Sequence, residues 1–198
     1  AWILRAATLA MAGGQPLRLD PCVLLGAPGV GKTYYSRRLA QAFGVKTMTI
    51  PMNSVTDRGT WFSGLAPVWR ASAPGKVAQL LLDSHCASPV IIIDEIEKAS
   101  PINPTETPIN VLHSLLEREN ASHFTDEFLE VPLRADQIIW IATANDLAPL
   151  PASIVDRLIA FEITLAPGQM LAIQRSIFDE ANAAAGGLFS APTDALLE

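Results

Sequence analysis

The sequence is poor in cysteine and contains no grouping of residues typical of a metal cluster. Its 198 residues include two cysteines, Cys22 and Cys86, whose spacing fits neither a zinc site nor a disulfide framework. The three histidines, His85, His113 and His123, also lack the spacing of metal ligands. We therefore expect reduced thiols and a cytoplasmic location.

An excess of basic charge is absent as well. Lysine and arginine together number 14, against 20 aspartates and glutamates, which gives a net charge of −6 at pH 7. A protein whose main task is to hold a nucleic-acid backbone is expected to carry a basic face. The charge balance therefore argues against nucleic acid as the main partner.

Long hydrophobic runs are missing too, although 49% of the residues are hydrophobic. No apolar run approaches the roughly 20 residues that a membrane-spanning helix needs, so we expect no membrane association. We attribute the apolar residues to a buried parallel sheet. The length suits one α/β domain with the start of a second. Because the chain opens at Ala1 without a signal-type segment, we expect it to be part of a longer protein.

Residues 26–33 match the phosphate-loop pattern G-x-x-x-x-G-K-[ST] at every fixed position. An apolar strand is predicted before the loop at 22–25, and a helix after it from Thr33 to Phe43, closed by Gly44. Such a loop turns its backbone N–H groups toward phosphates, while Lys32 reaches the β- and γ-phosphates and the Thr33 hydroxyl binds Mg²⁺. The predicted nucleotide-binding residues are Gly26, Pro28, Gly29, Val30, Gly31, Lys32 and Thr33. We therefore expect ATP and Mg²⁺ as cofactors.

Two carboxylates follow a continuous apolar run at 89–93, which predicts a central strand buried on both faces. The carboxyl ends of parallel strands are where open α/β sheets bind ligands. We predict that Asp94 holds the Mg²⁺ shell and that Glu95 polarises the attacking water. The alternative is that the two carboxylates are helix caps.

Asn145 follows another apolar strand, predicted at 138–143. We predict that it orients the attacking water and contacts the γ-phosphate; the alternative is a turn former before Asp146. Arg157 is predicted to act on the nucleotide of a neighbouring subunit. For Arg157 the alternative is an intramolecular salt bridge, with Asp156 or with a carboxylate of a lid.

The remaining pattern predicts further elements around these motifs. Helices are expected at 1–12, 75–86, 109–119, 151–158 and 167–185, strands at 45–50 and 159–165, an extended or hairpin segment at 124–136, and another helix beginning near 190. Residues 53–74 are rich in Gly, Pro, Ser and Trp, and we expect them to lack regular structure.

Over about residues 20–165 the chain resembles the AAA+ ATPases, and within them the ATPase module of the Lon protease family. Beyond the nucleotide motifs, the segments that carry the resemblance are 114–117 (SLLE), 124–132 (FTDEFLEVP), 141–145 (IATAN) and 155–158 (VDRL). The resemblance implies a P-loop α/β fold with a five-stranded parallel sheet over 1–165. It also implies a small helical lid whose beginning occupies 166–198, and a ring that is usually hexameric. Trp69 matches the aromatic residue of the substrate-gripping pore loop; the alternative is a partly buried anchor of its loop.

The expected function is Mg²⁺-dependent ATP hydrolysis by a Lon-like AAA+ module that unfolds, translocates or remodels a protein substrate. Two alternatives stay open. One is a DNA-acting AAA+ motor of the clamp-loader or branch-migration kind, and the other is a nucleotide-gated scaffold with little turnover. The four lysines, Lys32, Lys46, Lys76 and Lys98, offer no candidate for a Ser-Lys peptidase pair, so we expect no proteolysis from this segment.

Overall fold

The computed structural model of the chain describes residues 2–14, 17–55, 59–99, 107–166 and 168–192. They divide into two compact units, 1–162 and 163–198. Within the described residues no helix is long and apolar enough to cross a membrane.

The first unit is built on a parallel sheet. The described strands are β1 (Cys22–Leu25), β2 (Thr47–Pro51), β3 (Val90–Asp94), β4 (Phe124–Thr125), β5 (Pro132–Leu133), β6 (Ile139–Ala144) and β7 (Ile159–Glu162). Five of them pair in the order β2-β3-β6-β1-β7, and every pair is parallel. The prediction of a five-stranded parallel sheet is confirmed. The strands β4 and β5 form a separate antiparallel hairpin, as predicted for 124–136.

The register of the sheet brings the carboxyl ends of three strands to one edge. Leu25, the last residue of β1, is paired with Ala144, the last residue of β6. Ile93, one residue before the end of β3, is paired with Ala142 of β6. Because parallel strands end on the same side, the chain segments that follow β1, β3 and β6 lie next to one another.

The described helices of the first unit are α1 (Trp2–Gly13), α2 (Lys32–Phe43), α3 (Thr60–Ser63), α4 (Lys76–Ser84), α5 (Leu112–Leu115), α6 (Arg118–Ala121) and α7 (Ala152–Val155). The helix α8 (Gln169–Ala184) belongs to the second unit. The helix α2 ends as predicted at Gly44, whose φ of 66° is a left-handed conformation that glycine adopts without strain. The lead-in helix α1 begins one residue after the predicted start.

The predicted continuous helix at 109–119 is wrong. The segment begins as a 3₁₀ turn (Pro108–Val111), continues as the short helix α5 and restarts as α6. The break falls at Glu117, whose φ of −102° and ψ of 119° are extended. Its side chain pairs with Arg157, 40 positions further along the chain, a contact that the local helical pattern does not reveal.

The segment 53–74 contains more regular structure than its composition indicates. A 3₁₀ turn (Met52–Ser54) and the helix α3 lie in or beside it, and the side chain of Phe62 in α3 is fully buried. Burial of one aromatic side chain stabilises a fold by about 1.5–3 kcal/mol, which helps to order a short helix of weak intrinsic propensity. Residues 56–58 lie outside the described part of the chain.

The core lies on both faces of β3 and β6. Every residue of β3 except Asp94 is buried, as are all six residues of β6. Cys22 on the neighbouring strand is also buried, and this burial raises the pKa of its thiol to about 12. Cys22 is therefore a packing residue and not a reactive thiol.

The second unit contains the helix α8 and the segment after it. Gly168 precedes α8 with a φ of 83°, and the helix ends at Ala184, with Ala185 as its C-cap. Asn182 then exchanges two hydrogen bonds with the backbone of Phe189, which folds the following residues back along the helix. The helix predicted to begin near 190 falls mostly on 193–198, outside the described residues.

Candidate active site

The phosphate loop joins β1 to α2 at the carboxyl edge of the sheet. Its start is fixed by a hydrogen bond of 3.2 Å from the Gly26 N–H to the carbonyl of Ala144, the last residue of β6. Gly29 and Gly31 have φ values of 82° and 88°, which L side chains rarely adopt. The glycines are therefore required by the backbone conformation of the loop.

Lys32 lies inside this loop, with only 8% of its surface exposed. Its ammonium donates to the carbonyl oxygens of Gly26 at 2.8 Å and Ala27 at 2.9 Å, and to Asn145 Oδ1 at 2.9 Å. Burial lowers the pKa of Lys32, while nearby carboxylates, Glu97 first among them, oppose this by favouring the charged form. The ammonium thus stands at the point where the phosphate loop meets the end of β6.

Thr33 and Asp94 are in direct contact. The Thr33 hydroxyl donates to Asp94 Oδ1 at 2.7 Å, and the hydroxyl of Thr143 donates to the same oxygen at 2.7 Å. Thr143 also accepts a hydrogen bond of 2.9 Å from the Glu95 N–H. Thr143 therefore links the end of β6 to both carboxylate residues.

Sequence reasoning missed Thr143, which it counted as part of a buried strand. The residue is 1% exposed, and a buried hydroxyl needs a hydrogen-bond partner. The available signal was a threonine next to the last residue of an otherwise apolar strand, which indicates a side chain that contacts the site.

Glu97 is a second residue that the sequence reasoning missed. Its Oε1 accepts hydrogen bonds from the Asn145 backbone N–H at 3.0 Å and from Asn145 Nδ2 at 2.8 Å. Nothing in the local sequence distinguishes Glu97 from an ordinary solvent-exposed glutamate that follows the Asp94-Glu95 pair. The contact depends on a residue 48 positions further along the chain.

These residues surround one pocket of about 260 Å³. It is lined by Pro28, Gly29, Gly31, Lys32, Thr33, Tyr34, Glu95, Thr143 and Asn145. A hydroxyl and a carboxylate oxygen 2.7 Å apart are hard oxygen ligands of the kind that Mg²⁺ takes when phosphate oxygens and water complete its shell. The predicted residues of the ATP and Mg²⁺ site are therefore brought together; their individual roles stay predictions.

Arg157 lies away from this pocket. It lines a different one, of about 470 Å³, together with Asp20, Glu117 and Asp156. Its guanidinium donates to Glu117 Oε2 at 2.8 Å and to the Ser153 carbonyl at 2.6 Å. Within the described chain Arg157 thus has an intramolecular partner, and that partner is Glu117 and not Asp156.

Trp69 lies at the tip of a narrow loop over 65–73. The ends of the loop are joined by a hydrogen bond of 3.0 Å from the Leu65 N–H to the Ala73 carbonyl. At the tip, Val68 is 85% exposed and Trp69 is 61% exposed. A tryptophan with that exposure does not serve as a buried anchor.

A buried carboxylate fixes the base of this loop. Asp126 is fully buried and accepts hydrogen bonds from the backbone N–H groups of Gly75 at 2.8 Å, Phe128 at 3.0 Å and Leu129 at 3.0 Å. A Cβ atom on Gly64 would lie 2.8 Å from Asp126 Oδ1. The tip therefore projects from a rigid base.

A parallel sheet with a phosphate loop, two carboxylates and a polar residue at its carboxyl edge defines a P-loop ATPase. The chain belongs to the ATPase family associated with various cellular activities (AAA), whose model matches residues 22–165. The predicted resemblance to AAA+ ATPases is confirmed.

Among curated proteins the chain is similar to Lon proteases. It is 33% identical over 150 residues to the Lon protease of Chloroflexus aggregans (76% of this chain, 18% of that protein). It is 32% identical over 142 residues to the Lon protease of Methanosarcina barkeri (72% of this chain, 18% of that protein). A mitochondrial Lon protease homolog of Saccharomyces cerevisiae is 30% identical over 140 residues (71% and 12%). The chain spans less than a fifth of the length of each of these relatives.

Among solved structures the chain is similar to the RuvB Holliday junction branch migration motor of Thermotoga maritima. The TM-score is 0.53 at 17% sequence identity, covering 93% of this chain and 49% of that one. A mutant of the same protein gives a TM-score of 0.55 at 16% identity, covering 93% and 50%. This likeness concerns the fold alone.

Proposed function

We propose that this AAA ATPase binds ATP with Mg²⁺ and uses its hydrolysis to unfold, translocate or remodel a protein substrate. One observation carries the proposal: Lys32, Thr33, Glu95 and Asn145 line a single pocket, with Asp94 bound directly to Thr33. Positioning and charge neutralisation supply most of the catalysis of phosphoryl transfer.

In this proposal each residue has a distinct task. The loop from Gly26 to Gly31 binds phosphate oxygens through its N–H groups, and Lys32 leaves the loop carbonyls to contact the β- and γ-phosphates. Thr33 and Asp94 would hold Mg²⁺, whose charge would offset that of the phosphates. Glu95 takes the proton of the attacking water, and Asn145 orients that water.

A protein substrate is favoured by the surface of the chain as well as by its relatives. The tip residues Val68 and Trp69 are apolar and exposed on a loop with a fixed base. Aromatic side chains supply large contact area to partly apolar partners. Such a tip is suited to gripping an unfolded polypeptide. The sequence similarity to the Lon protease of Chloroflexus aggregans extends over 76% of this chain.

We further propose that the active form is a ring, with six subunits as its expected size. The pocket that contains Lys32 is not lined by Arg157, the residue expected to act on the γ-phosphate. An arginine supplied by the adjacent subunit would complete the site.

The test is phosphate release from the complete, assembled protein with Mg²⁺-ATP, measured alone, with an unfolded protein and with duplex or branched DNA. We expect stimulation by the unfolded protein. Stimulation by DNA alone would show that the DNA-acting alternative is correct, and an absence of turnover in all three conditions would favour the nucleotide-gated scaffold.

A further inference from the structure

The Asn145 carboxamide is held between a group that can only accept hydrogen bonds and a group that can only donate them. Its Nδ2 donates to Glu97 Oε1 at 2.8 Å, and its Oδ1 accepts from Lys32 Nζ at 2.9 Å. A carboxylate has no proton to donate and an ammonium has no lone pair. Exchanging Oδ1 with Nδ2 would therefore lose both hydrogen bonds, so the orientation of the amide is determined by its two neighbours.

Glu97 is placed for this contact by a turn directly after β3. Glu95 has a φ of 53°, and a 3₁₀ turn over Ile96–Lys98 follows, closed by a hydrogen bond of 2.8 Å from the Lys98 N–H to the Glu95 carbonyl. The turn brings Glu97 to the end of β6, where it also accepts from the Asn145 backbone N–H at 3.0 Å. One carboxylate oxygen thus binds Asn145 at two points.

The other carboxylate oxygen of Glu97 indicates that the residue does more than accept hydrogen bonds from Asn145. Glu97 Oε2 is buried and has no hydrogen-bond partner in the described part of the chain. Leaving a buried polar atom without a hydrogen-bond partner destabilises the folded chain. A neutral glutamine could accept the same two hydrogen bonds without burying a charge. The negative charge of Glu97 is explained if it strengthens the hold on Nδ2 and favours the charged form of Lys32.

We propose that Glu97 is a positioning residue that keeps Asn145 Oδ1 directed into the nucleotide pocket. Asn145 Oδ1 then acts in hydrolysis as a hydrogen-bond acceptor, toward Lys32 and the attacking water, and hydrolysis does not require the second N–H of Nδ2. An amide oxygen aimed directly at a phosphate would be repelled by it. The inference rests on the proposed ATP hydrolysis at this site, and it assigns the task of orienting the water to Asn145 Oδ1.

The kinetic test compares four variants of the complete, assembled protein: Glu97→Ala, Glu97→Gln, Asn145→Asp and the double variant E97Q/N145D. Glu97→Ala should lower kcat by about 10-fold to 100-fold, the scale of a mispositioned group, and leave the KM for ATP within about 3-fold. Glu97→Gln should give a kcat between those of the wild type and Glu97→Ala, because its amide oxygen still accepts from Asn145 but lacks the charge that strengthens the contact. The control is Glu162→Ala, an exposed carboxylate on β7, which should match the wild type.

The double variant separates the acceptor role from the donor role. Asn145→Asp alone sets two carboxylates against each other and should be nearly inactive. In E97Q/N145D the new glutamine can donate to the new aspartate, whose other oxygen still faces Lys32. We expect kcat at least about 5-fold above that of Asn145→Asp, well within the range of a restored positioning contact. If the double variant stays as inactive as Asn145→Asp, the acceptor role is wrong.

A second measurement does not depend on turnover. In nucleotide-free protein, Glu97→Ala and Asn145→Ala should each shift the thermal midpoint of unfolding. In the variant that carries both alanine substitutions the two shifts should not add, because the two residues share one contact. Additive shifts would show that the contact does not form. If the midpoints are coupled but the wild type does not hydrolyse ATP, then the proposed function fails while the placement of Asn145 by Glu97 stands.

Discussion

The hydroxyl of Thr33 and the carboxylate of Asp94 are joined by a hydrogen bond of 2.7 Å. The two residues lie on different elements, α2 and the end of β3, and are 61 positions apart in the sequence. Both are oxygen ligands suited to Mg²⁺. The fold thus brings the two residues proposed to hold Mg²⁺ together without the ion.

We expect Asp94→Asn to remove the effect of Mg²⁺ on nucleotide binding. The amide keeps the size of the side chain and an acceptor oxygen but loses the charge that favours a divalent cation. Nucleotide affinity should become nearly the same with Mg²⁺ and with EDTA, and turnover should fall by about 100-fold or more. Titration of a fluorescent ATP analogue in both conditions measures this. If Mg²⁺ raises the nucleotide affinity of the variant as much as that of the wild type, Asp94 is not a ligand of the ion.

Glu95→Gln should separate binding from hydrolysis. Glu95 lines the pocket together with Thr143 and Asn145. Loss of a general base typically costs about 10²–10⁴-fold in rate, while affinity for ATP should change little. Phosphate release and ATP binding, measured on the same preparation, test the prediction. Turnover at the wild-type rate would show that another group activates the water.

The sequence predicted the parts of the site that depend on local pattern. The phosphate loop is defined by glycines and a lysine at fixed spacing, and apolar runs of four to six residues marked β1, β3 and β6. Since parallel strands end at one edge, the proximity of Asp94 and Asn145 followed from the fold class alone.

The parts that the sequence did not predict depend on contacts between distant residues. Glu97 meets Asn145 across 48 positions, and Gly75 meets Asp126 across 51. In each case the residue type is ordinary for an exposed turn, and only the folded chain shows what it contacts. The wrong helix at 109–119 has the same origin, because Glu117 leaves the helical conformation and binds Arg157.

Asp126→Ala should destabilise the first unit strongly. The substitution leaves three backbone N–H groups without the acceptor that they share in a fully buried position. Each unsatisfied buried donor costs on the order of 1–3 kcal/mol, so a loss of about 3 kcal/mol or more in the free energy of unfolding is expected.

The measurement is a denaturant midpoint, with Asp83→Ala as the control. Asp83 is exposed and pairs with Lys46 at 3.4 Å, so its removal should cost about 1 kcal/mol at most. Equal losses for the two variants would contradict the role of Asp126 as the fixed base of the 65–73 loop.

Trp69→Ala should uncouple hydrolysis from the protein substrate. The side chain is 61% exposed at the loop tip and is not among the residues that line the nucleotide pocket. Basal ATP hydrolysis should stay within about 2-fold, while stimulation by an unfolded protein should be lost with the aromatic contact area. Trp69→Tyr should retain part of the stimulation. Leu82→Ala, equally exposed on α4, is the control; if it has the same effect, the tip is not the gripping site.

Arg157→Ala should abolish turnover in the assembled protein while leaving ATP affinity nearly unchanged. The guanidinium is partly exposed, with 30% of the side chain accessible, and its partner Glu117 is 43% exposed. Exposed ion pairs of this kind contribute only about 0–1 kcal/mol to the free energy of unfolding. Arg157 can therefore leave Glu117 and contact the nucleotide of an adjacent subunit at little cost in stability. An arginine supplied in trans is worth about 10³–10⁵ in rate in P-loop enzymes, and this sets the size of the expected loss.

Mixing Arg157→Ala with Glu95→Gln distinguishes a trans arginine from an internal salt bridge. Each variant alone should be inactive, because every site lacks either the base or the arginine. In mixed rings some interfaces pair an intact Glu95 with an intact Arg157 of the neighbour, so phosphate release should recover to a fraction of the wild-type rate. Glu117→Ala serves as the control, because it breaks the internal pair without removing the arginine and should leave turnover substantial. If Arg157→Ala is silent, Arg157 takes no part in turnover. If Glu117→Ala is as inactive as Arg157→Ala, the internal pair itself is what matters. Either result would show that Arg157 does not complete the site of an adjacent subunit.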